Sequence, residues 1–177
     1  MSHVTFGKLW AMRVAFMTLV MAVLFFNLLP LQTTPRTWAG PDMLMALAFA
    51  WSMRRPDYVP VWLLAGLFLL ADLLLQRPPG LWAALMLLAC KSLQSRSRFL
   101  RNGGFAAEWF AAGALMVIVM LGYRLVLVLS LIDLPDWRLS GFELFGTIAI
   151  YPVAALVTKV MLGRRLFSLQ TAVRDGI

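Results

Sequence analysis

Apolar residues fill long runs of this chain, and short polar breaks separate the runs. The segment at 59–80, VPVWLLAGLFLLADLLLQRPPG, is one such run and carries a single acid, Asp72, close to its end. Similar runs occupy 14–31 and 105–131. About 20 apolar residues in a helix are enough to cross the hydrocarbon core of a bilayer. The pattern therefore predicts an integral membrane protein built from helices.

Prolines, glycines and charged residues at the breaks divide the chain into six predicted helices. The predicted ranges are 9–30, 38–53, 59–75, 81–93, 105–131 and 144–162, followed by a basic tail at 163–177. The second and fourth are short, and apolar segments of about 10 to 14 residues often fail to span. A topology in which these two segments are re-entrant is therefore an alternative to six crossings.

Both topologies predict the same fold class, an all-α polytopic transmembrane bundle that forms a single membrane domain over 1–177. The first apolar run follows basic residues, as the apolar part of a signal peptide would. It is longer than is usual for a signal peptide, and no small-residue cleavage site follows it. We therefore expect the first helix to stay in the protein as an anchor.

Composition and charge agree with this class. Hydrophobic residues make up 62% of the chain and charged residues 14%, against roughly 25% charged residues in a soluble domain. The net charge is +8, but the basic residues are scattered between apolar runs, so nucleic-acid binding is not expected. With six crossings, twelve of the sixteen Lys and Arg residues fall on one side of the membrane. The positive-inside rule then predicts that both termini are cytoplasmic.

Two opposite charges, Asp72 and Arg124, lie inside apolar runs. They fall about 20 Å and 28 Å into helices that both run outward, at 1.5 Å per residue, so both belong in the outer leaflet. An ion pair is the least costly way to keep either charge there, and we expect the two to pair. The alternative is that Arg124 extends outward to the interface while Asp72 contacts the turn that follows its helix.

A second polar cluster is predicted at the cytoplasmic side. Glu108, near the start of the fifth helix, is expected to meet Arg13 of the first helix or Lys159 of the sixth. Proton relays generally use several acids, and only Asp72 and Glu108 lie within apolar runs here. A structural contact is therefore the preferred interpretation.

The sequence offers little reactive chemistry. It has one cysteine, Cys90, one histidine, His3, and none of the phosphate-binding, serine-hydrolase or zinc-peptidase motifs. We therefore expect no catalytic, metal or cofactor site, and no enzymatic activity. A membrane enzyme that acts on lipid would have only Asp72 and Glu108 to support it.

The order of several landmarks resembles a known family. Pro41-Asp42 opens a short apolar helix, Arg54-Arg55-Pro56 ends it, and Asp72-Leu73-Leu74 is followed by Pro79-Gly80 and Ala83. This arrangement, clearest over 38–102, resembles MreD, the small membrane subunit of the bacterial rod-shape complex. The positions that carry the family pattern are Pro41, Asp42, Pro56, Asp72 and Gly80. The family normally has a glycine about four residues before the aspartate, where this chain has Phe68, and its nearest glycine is Gly66.

The resemblance implies a non-enzymatic scaffold in the bacterial inner membrane. It would bind MreC and work with the glycosyltransferase RodA, its penicillin-binding transpeptidase and the cytoplasmic MreB filaments to guide lateral peptidoglycan synthesis. The basic stretches at 91–101 and 164–174 are expected to contact anionic membrane lipids or a cytoplasmic partner. Whether the subunit self-associates is left open.

A transporter component is the main alternative. The MreD family resembles in architecture the six-helix substrate-binding subunits of energy-coupling-factor vitamin transporters. Those subunits dock through a first helix with regularly spaced alanines. Here Ala11 and Ala15 supply two such positions before Leu19 breaks the series. Binding of a vitamin-sized ligand would favour this alternative.

Overall fold

The protein is all-helical throughout the part that the structure describes. A computed structural model describes residues 6–29, 40–131, 134 and 136–174, with all side chains in these ranges except those of residues 6, 8, 101, 102 and 162–174. The helices are α1 (Phe6–Leu28), α2 (Met43–Arg54), α3 (Val61–Leu74), α4 (Leu81–Asn102), α5 (Gly104–Leu129) and α6 (Trp137–Arg174). A single 3-10 turn at Pro56–Tyr58 connects α2 to α3.

Three of these helices are long and apolar enough to cross a membrane. The apolar spans are Leu9–Leu28 in α1, Gly104–Leu129 in α5 and Trp137–Met161 in α6. Two further helices, α2 and α3, are apolar but shorter. The predicted helical membrane class is confirmed at this level.

The short helix α2 forms the centre of the bundle. All of its residues from Leu44 to Met53 are buried, and α1, α4 and α6 pack around it. The ring of Phe16 in α1 lies 5.1 Å from that of Trp51 in α2, and both side chains are fully buried. A helix of 12 residues is about 18 Å long, shorter than the hydrocarbon core of about 30 Å. At least one end of α2 therefore lies within the depth of the membrane.

Three predicted boundaries differ clearly from the structure. The fourth helix continues from the predicted end at residue 93 to Asn102, so the basic stretch at 91–101 is helical. Hydropathy falls in this stretch, but no proline or glycine interrupts it before Gly103. The Gln94 side chain also donates to the Val59 carbonyl at 3.0 Å, which fixes the extension against the start of α3.

The last helix begins at Trp137 rather than at residue 144, and it runs through most of the predicted tail to Arg174. The predicted helix excludes the polar residues at this start, but Ser140 and Glu143 lie on the side of α6 that faces other helices. At the other boundary, α2 begins at Met43 with Asp42 as its N-cap. The predicted start of that helix at Trp38 lies outside the described residues.

The connection from α3 to α4 is a tight turn. Gln76 and Gly80 both have positive φ angles, 53° and 84°. The Arg77 amide donates to the Asp72 carbonyl at 3.0 Å and so closes the end of α3. Gly80 then acts as the residue before α4, and its carbonyl accepts the first amide bond of that helix from Ala84 at 2.9 Å.

Replacement of Gly80 by alanine is expected to destabilise the protein by about 1 kcal/mol, because a Cβ disfavours a positive φ. Gly66→Ala is the matched control: an added Cβ there has nothing within 4 Å, and alanine is the better helix former. The free energy of unfolding in detergent micelles measures both. Equal losses for the two variants would show that the turn conformation is not the cause.

Candidate functional site

The start of α2 is held by side chains from its own cap and from α6. Asp42 Oδ1 accepts the Met45 amide at 3.0 Å, and the Asp42 amide donates to Thr147 Oγ1 at 2.8 Å. The Thr147 hydroxyl in turn donates to the Glu143 carbonyl at 2.6 Å. An added Cβ on Gly146 would lie 3.3 Å from Pro41 Cβ, so the absence of a side chain there allows α6 to approach Pro41.

The start of α4 is held by an acid from α3. Asp72 is fully buried, and its Oδ2 accepts the Gly80 amide at 2.9 Å and the Ala83 amide at 3.1 Å. The first amides of a helix have no partner within the helix, so this carboxylate replaces a local cap. Phe68, one turn before Asp72, packs edge-on against Trp82 of α4 with ring centroids 5.5 Å apart. Phe68 and Asp72 together fasten α3 to the first turn of α4.

The other end of α2 carries an ion pair between a partly buried arginine and a buried glutamate. Arg54 Nε lies 3.3 Å from Glu108 Oε1, and Arg54 Nη2 donates to Glu108 Oε2 at 3.3 Å. The Tyr151 hydroxyl of α6 donates to Glu108 Oε1 at 3.0 Å. This Arg54–Glu108–Tyr151 cluster joins the end of α2 to the start of α5 and the middle of α6.

The structure assigns Glu108 partners other than the predicted ones. Arg13 lies 5.8 Å from the ring centroids of both Trp10 and Trp62, so it bridges α1 and α3 through cation–π contacts. Lys159 is exposed. Lys159 follows Tyr151 by eight residues, about 12 Å along α6, which puts it beyond the level of Glu108.

Asp72 and Arg124 do not pair with each other. Arg124 is buried, its Nη1 donates to Ser140 Oγ at 2.8 Å, and its guanidinium lies 3.8 Å from the Trp137 ring centroid. Asp72 contacts the turn after its helix, as the alternative interpretation expected. The first amides of α4 have no partner within that helix and are close to Asp72 along the chain. The Asp72 carboxylate therefore binds these amides and not the arginine on α5.

The remaining family-pattern positions also lie at helix ends. Pro56 is the first residue of the 3-10 turn after α2, and Gly80 supplies both the positive φ and an amide for Asp72. All five pattern positions therefore lie where a helix begins or ends. None of them meets a reactive group in the contacts above.

Two cavities accompany these contacts. One, of about 300 Å³, lies at the Asp42 end of the bundle and is lined by polar and apolar residues, namely Asp42, Met45, Arg77, Trp82, Met116, Met120, Tyr123, Arg124, Ser140, Glu143, Leu144 and Thr147. We call it the polar cavity. The other, of about 460 Å³, is an apolar groove between α1, α2 and α6 lined by Leu19, Val23, Phe26, Asn27, Met43, Leu47, Ile150, Val153, Ala154 and Val157.

Several residues of these contacts were not identified from the sequence. Ser140, Thr147 and Tyr151 lie on α6, and with Glu143 they recur every three or four residues. This spacing places polar groups on one face of a helix, and Thr147 and Tyr151 are both buried. This regular spacing is the feature of the sequence from which these residues could have been identified. It indicates a polar face of α6 that packs against other helices rather than against lipid.

Among the described residues, no group of three or more His, Cys, Asp or Glu side chains lies together. Cys90 is buried, and His3 lies outside the described residues. No protein-family model, no curated protein and no solved structure matches the chain.

Substitution of Arg54 by glutamine is expected to cost about 3 kcal/mol, because it leaves the Glu108 carboxylate buried without its cation. The neighbouring Arg55 is exposed, so Arg55→Gln is expected to change stability by less than about 0.5 kcal/mol. Unfolding free energies in micelles measure the difference. If the two variants lose the same stability, the ion pair does not hold the end of α2.

Asp72→Ala is expected to cost about 2 kcal/mol, because two buried amides lose their acceptor. Its effect should add to that of Arg124→Gln within about 0.5 kcal/mol, since the two side chains have separate partners. A double-mutant cycle on unfolding free energy tests this. A coupling above about 1 kcal/mol would instead support the direct ion pair predicted from the sequence.

Proposed function

We propose that this protein is a non-enzymatic membrane scaffold of the MreD type, which binds MreC in a bacterial rod-shape complex. Through MreC it acts with RodA, its penicillin-binding transpeptidase and MreB, in contact with the lipids of the inner membrane. The proposal starts from the order of Pro41, Asp42, Pro56, Asp72 and Gly80 along the chain.

The observation that carries the proposal is which partners the acids at the helix ends have. Asp42, Asp72 and Glu108 each bind a backbone amide, an arginine or a tyrosine hydroxyl at a helix end. These contacts support roles in architecture rather than in turnover. Such a molecule would act through the surface that its helices present to other molecules.

That surface is largely apolar. Large side chains such as Phe110 and Ile118 on α5 and Phe145 and Leu156 on α6 are more than half exposed. In a membrane such faces contact lipid tails or the transmembrane helices of partner proteins, and association between helices relies on close packing. A single-span partner such as MreC would bind a face of this kind.

We further propose that both termini are cytoplasmic, with the Asp42 end of the bundle outside. Two exposed arginines, Arg98 on α4 and Arg138 on α6, lie at opposite ends of the bundle and provide a matched pair for labelling. In intact spheroplasts an impermeant maleimide is expected to modify Arg138→Cys and not Arg98→Cys. The native thiol of Cys90 is buried and stays silent. Labelling of Arg98→Cys alone would reverse the proposed orientation.

Depletion of the protein in its native host is expected to round rod-shaped cells and to leave MreC without a co-purifying subunit. When variants are expressed in the depleted cells, the degree to which the rod shape returns should depend on the amount of folded protein in the membrane. Tyr151→Phe and Glu108→Gln variants that reach wild-type levels should therefore restore it, since a scaffold needs no reactive group. Unchanged cell width after depletion contradicts the scaffold function. If the two variants reach wild-type levels and still do not restore the rod shape, the result would indicate a chemical role of the Arg54–Glu108–Tyr151 cluster.

A second candidate, a substrate-binding subunit of a small-molecule transporter, is favoured by one observation. The polar cavity has about 300 Å³ of space at one end of the bundle, at the lower limit of typical ligand sites, about 300 to 1,000 Å³. Stoichiometric retention of a vitamin-sized molecule, together with co-purification of an energising ATPase instead of MreC, would replace the scaffold proposal.

A further inference from the structure

Arg13 is a charged residue inside the first apolar span. It is the fifth residue of Leu9–Leu28, about 6 Å from the start of that span at 1.5 Å per residue. Its side chain is partly exposed. A guanidinium in this position needs hydrogen-bond acceptors, because hydrocarbon supplies none.

Among the described residues, Arg13 has aromatic contacts but no hydrogen-bond acceptor. Its guanidinium lies 5.8 Å from the ring centroid of Trp10 on its own helix and 5.8 Å from that of Trp62 on α3. Its Nε is buried without a hydrogen bond, and no acid in the described part of the chain forms an ion pair with it. An indole attracts the cation but accepts none of its hydrogen bonds in the plane of the guanidinium. The terminal amino groups can therefore donate to an acceptor from outside the protein.

The two tryptophans indicate the depth at which this arginine lies. Trp10 is the second residue of the apolar span of α1, and Trp62 is the second residue of α3. Both are exposed, and tryptophan favours the interface between membrane and water, at the level of the lipid head groups. Arg13 thus lies between α1 and α3 at the level of the lipid phosphates.

The surface that continues from this point into the membrane is apolar. Met17 follows Arg13 by four residues on α1, and Gly66 and Leu69 follow Trp62 by four and seven residues on α3. Residues at this spacing lie on one face of a helix, and all three are exposed. An added Cβ on Gly66 would have nothing within 4 Å, so this face has open space beside α3. Acyl chains attached to a phosphate at Arg13 would lie along this face.

We propose that Arg13, Trp10 and Trp62 bind the phosphate of one phospholipid between α1 and α3. The terminal amino groups of Arg13 donate to the phosphate oxygens, with which a guanidinium forms paired hydrogen bonds. The two indoles restrain the guanidinium, and the acyl chains contact the exposed side chains of α1 and α3. This binding goes beyond the scaffold function, and it does not depend on which end of the bundle is cytoplasmic.

The position of the site favours a lipid over a soluble phosphate compound. A soluble phosphate would gain only the contact with the guanidinium, which water and salt weaken at an exposed site. A lipid also places its acyl chains against Met17 and Leu69, so that apolar surface is buried in addition. The complete lipid is therefore expected to bind more tightly than its head group alone.

The test adds palmitoyl-oleoyl-phosphatidylglycerol to the full chain in detergent and counts bound molecules by native mass spectrometry. One lipid per chain is expected at this site. A galactosyl diacylglycerol with the same acyl chains lacks the phosphate and should bind at least about tenfold more weakly. Glycerophosphoglycerol has the phosphate but no acyl chains, and it should also bind at least about tenfold more weakly.

Arg13→Gln is expected to weaken phosphatidylglycerol binding at least about tenfold, because it removes the cation and its paired donors. Arg55→Gln is the matched control. Arg55 is exposed and lies 5.9 Å from the Tyr58 ring centroid, so the control also removes one cation beside an aromatic ring. It should change the affinity by less than about twofold.

Trp62→Leu leaves every charge in place and removes one of the two indoles. It is expected to weaken binding about threefold while the unfolding transition is retained, and it decides the test if Arg13→Gln does not fold. Equal binding of the galactolipid, equal binding of glycerophosphoglycerol, or equal affinity of Arg13→Gln and Arg55→Gln overturns the proposal. Wild-type affinity of Trp62→Leu also overturns it. The cell-width result expected of a scaffold is independent of all these outcomes.

Discussion

Hydrocarbon supplies no hydrogen bonds, so every helix that ends within the membrane needs polar partners from the protein itself. This constraint explains the central helix α2, which is too short to cross the bilayer alone. Asp42 and Thr147 close its first turn, and the Arg54–Glu108–Tyr151 cluster lies at its other end. The same need places Asp72 at the first amides of α4. The charged residues inside the apolar sequence are thus concentrated where helices begin and end.

These polar contacts also determine which helices lie next to one another. Asp42 and Thr147 connect α2 to α6, Glu108 adds α5, and Asp72 connects α3 to α4. An unpaired charge in a bundle is costly, so the contacts favour one arrangement over others of similar apolar packing. The outer faces remain apolar, and the space left between α2, α4, α5 and α6 is the polar cavity. The scaffold function proposed here would use the outer faces.

The sequence predicted the helical class and the approximate positions of α1, α3 and α5, because long apolar runs and their proline or glycine breaks are local features. It misjudged the length of α4 and the start of α6, where hydropathy falls but helical backbone continues. The partner of Glu108 could not be read from one sequence, since Arg54 is 54 positions away and had been interpreted as part of a polar break. Asp72 was expected from the sequence to need a polar partner. Its donors are backbone amides, which every residue except proline carries, so no sequence pattern identifies them. The regular spacing of polar residues at 140, 143, 147 and 151 can be read from the sequence. The contacts that these residues make follow only from the packing of α6 on α2.

Hydrogen exchange of individual amides, measured in lipid nanodiscs, tests the central claim most directly. The amides of Gly80 and Ala83, which bind Asp72, are expected to exchange at least about a hundredfold more slowly than those of Phe105 and Ala106. The latter two open α5, whose start has no side-chain cap and whose residues are exposed there. Asp72→Ala should remove the protection of Gly80 and Ala83 and leave that of Met45, which Asp42 binds. Equally fast exchange at Gly80, Ala83, Phe105 and Ala106 in the unaltered protein would contradict the account.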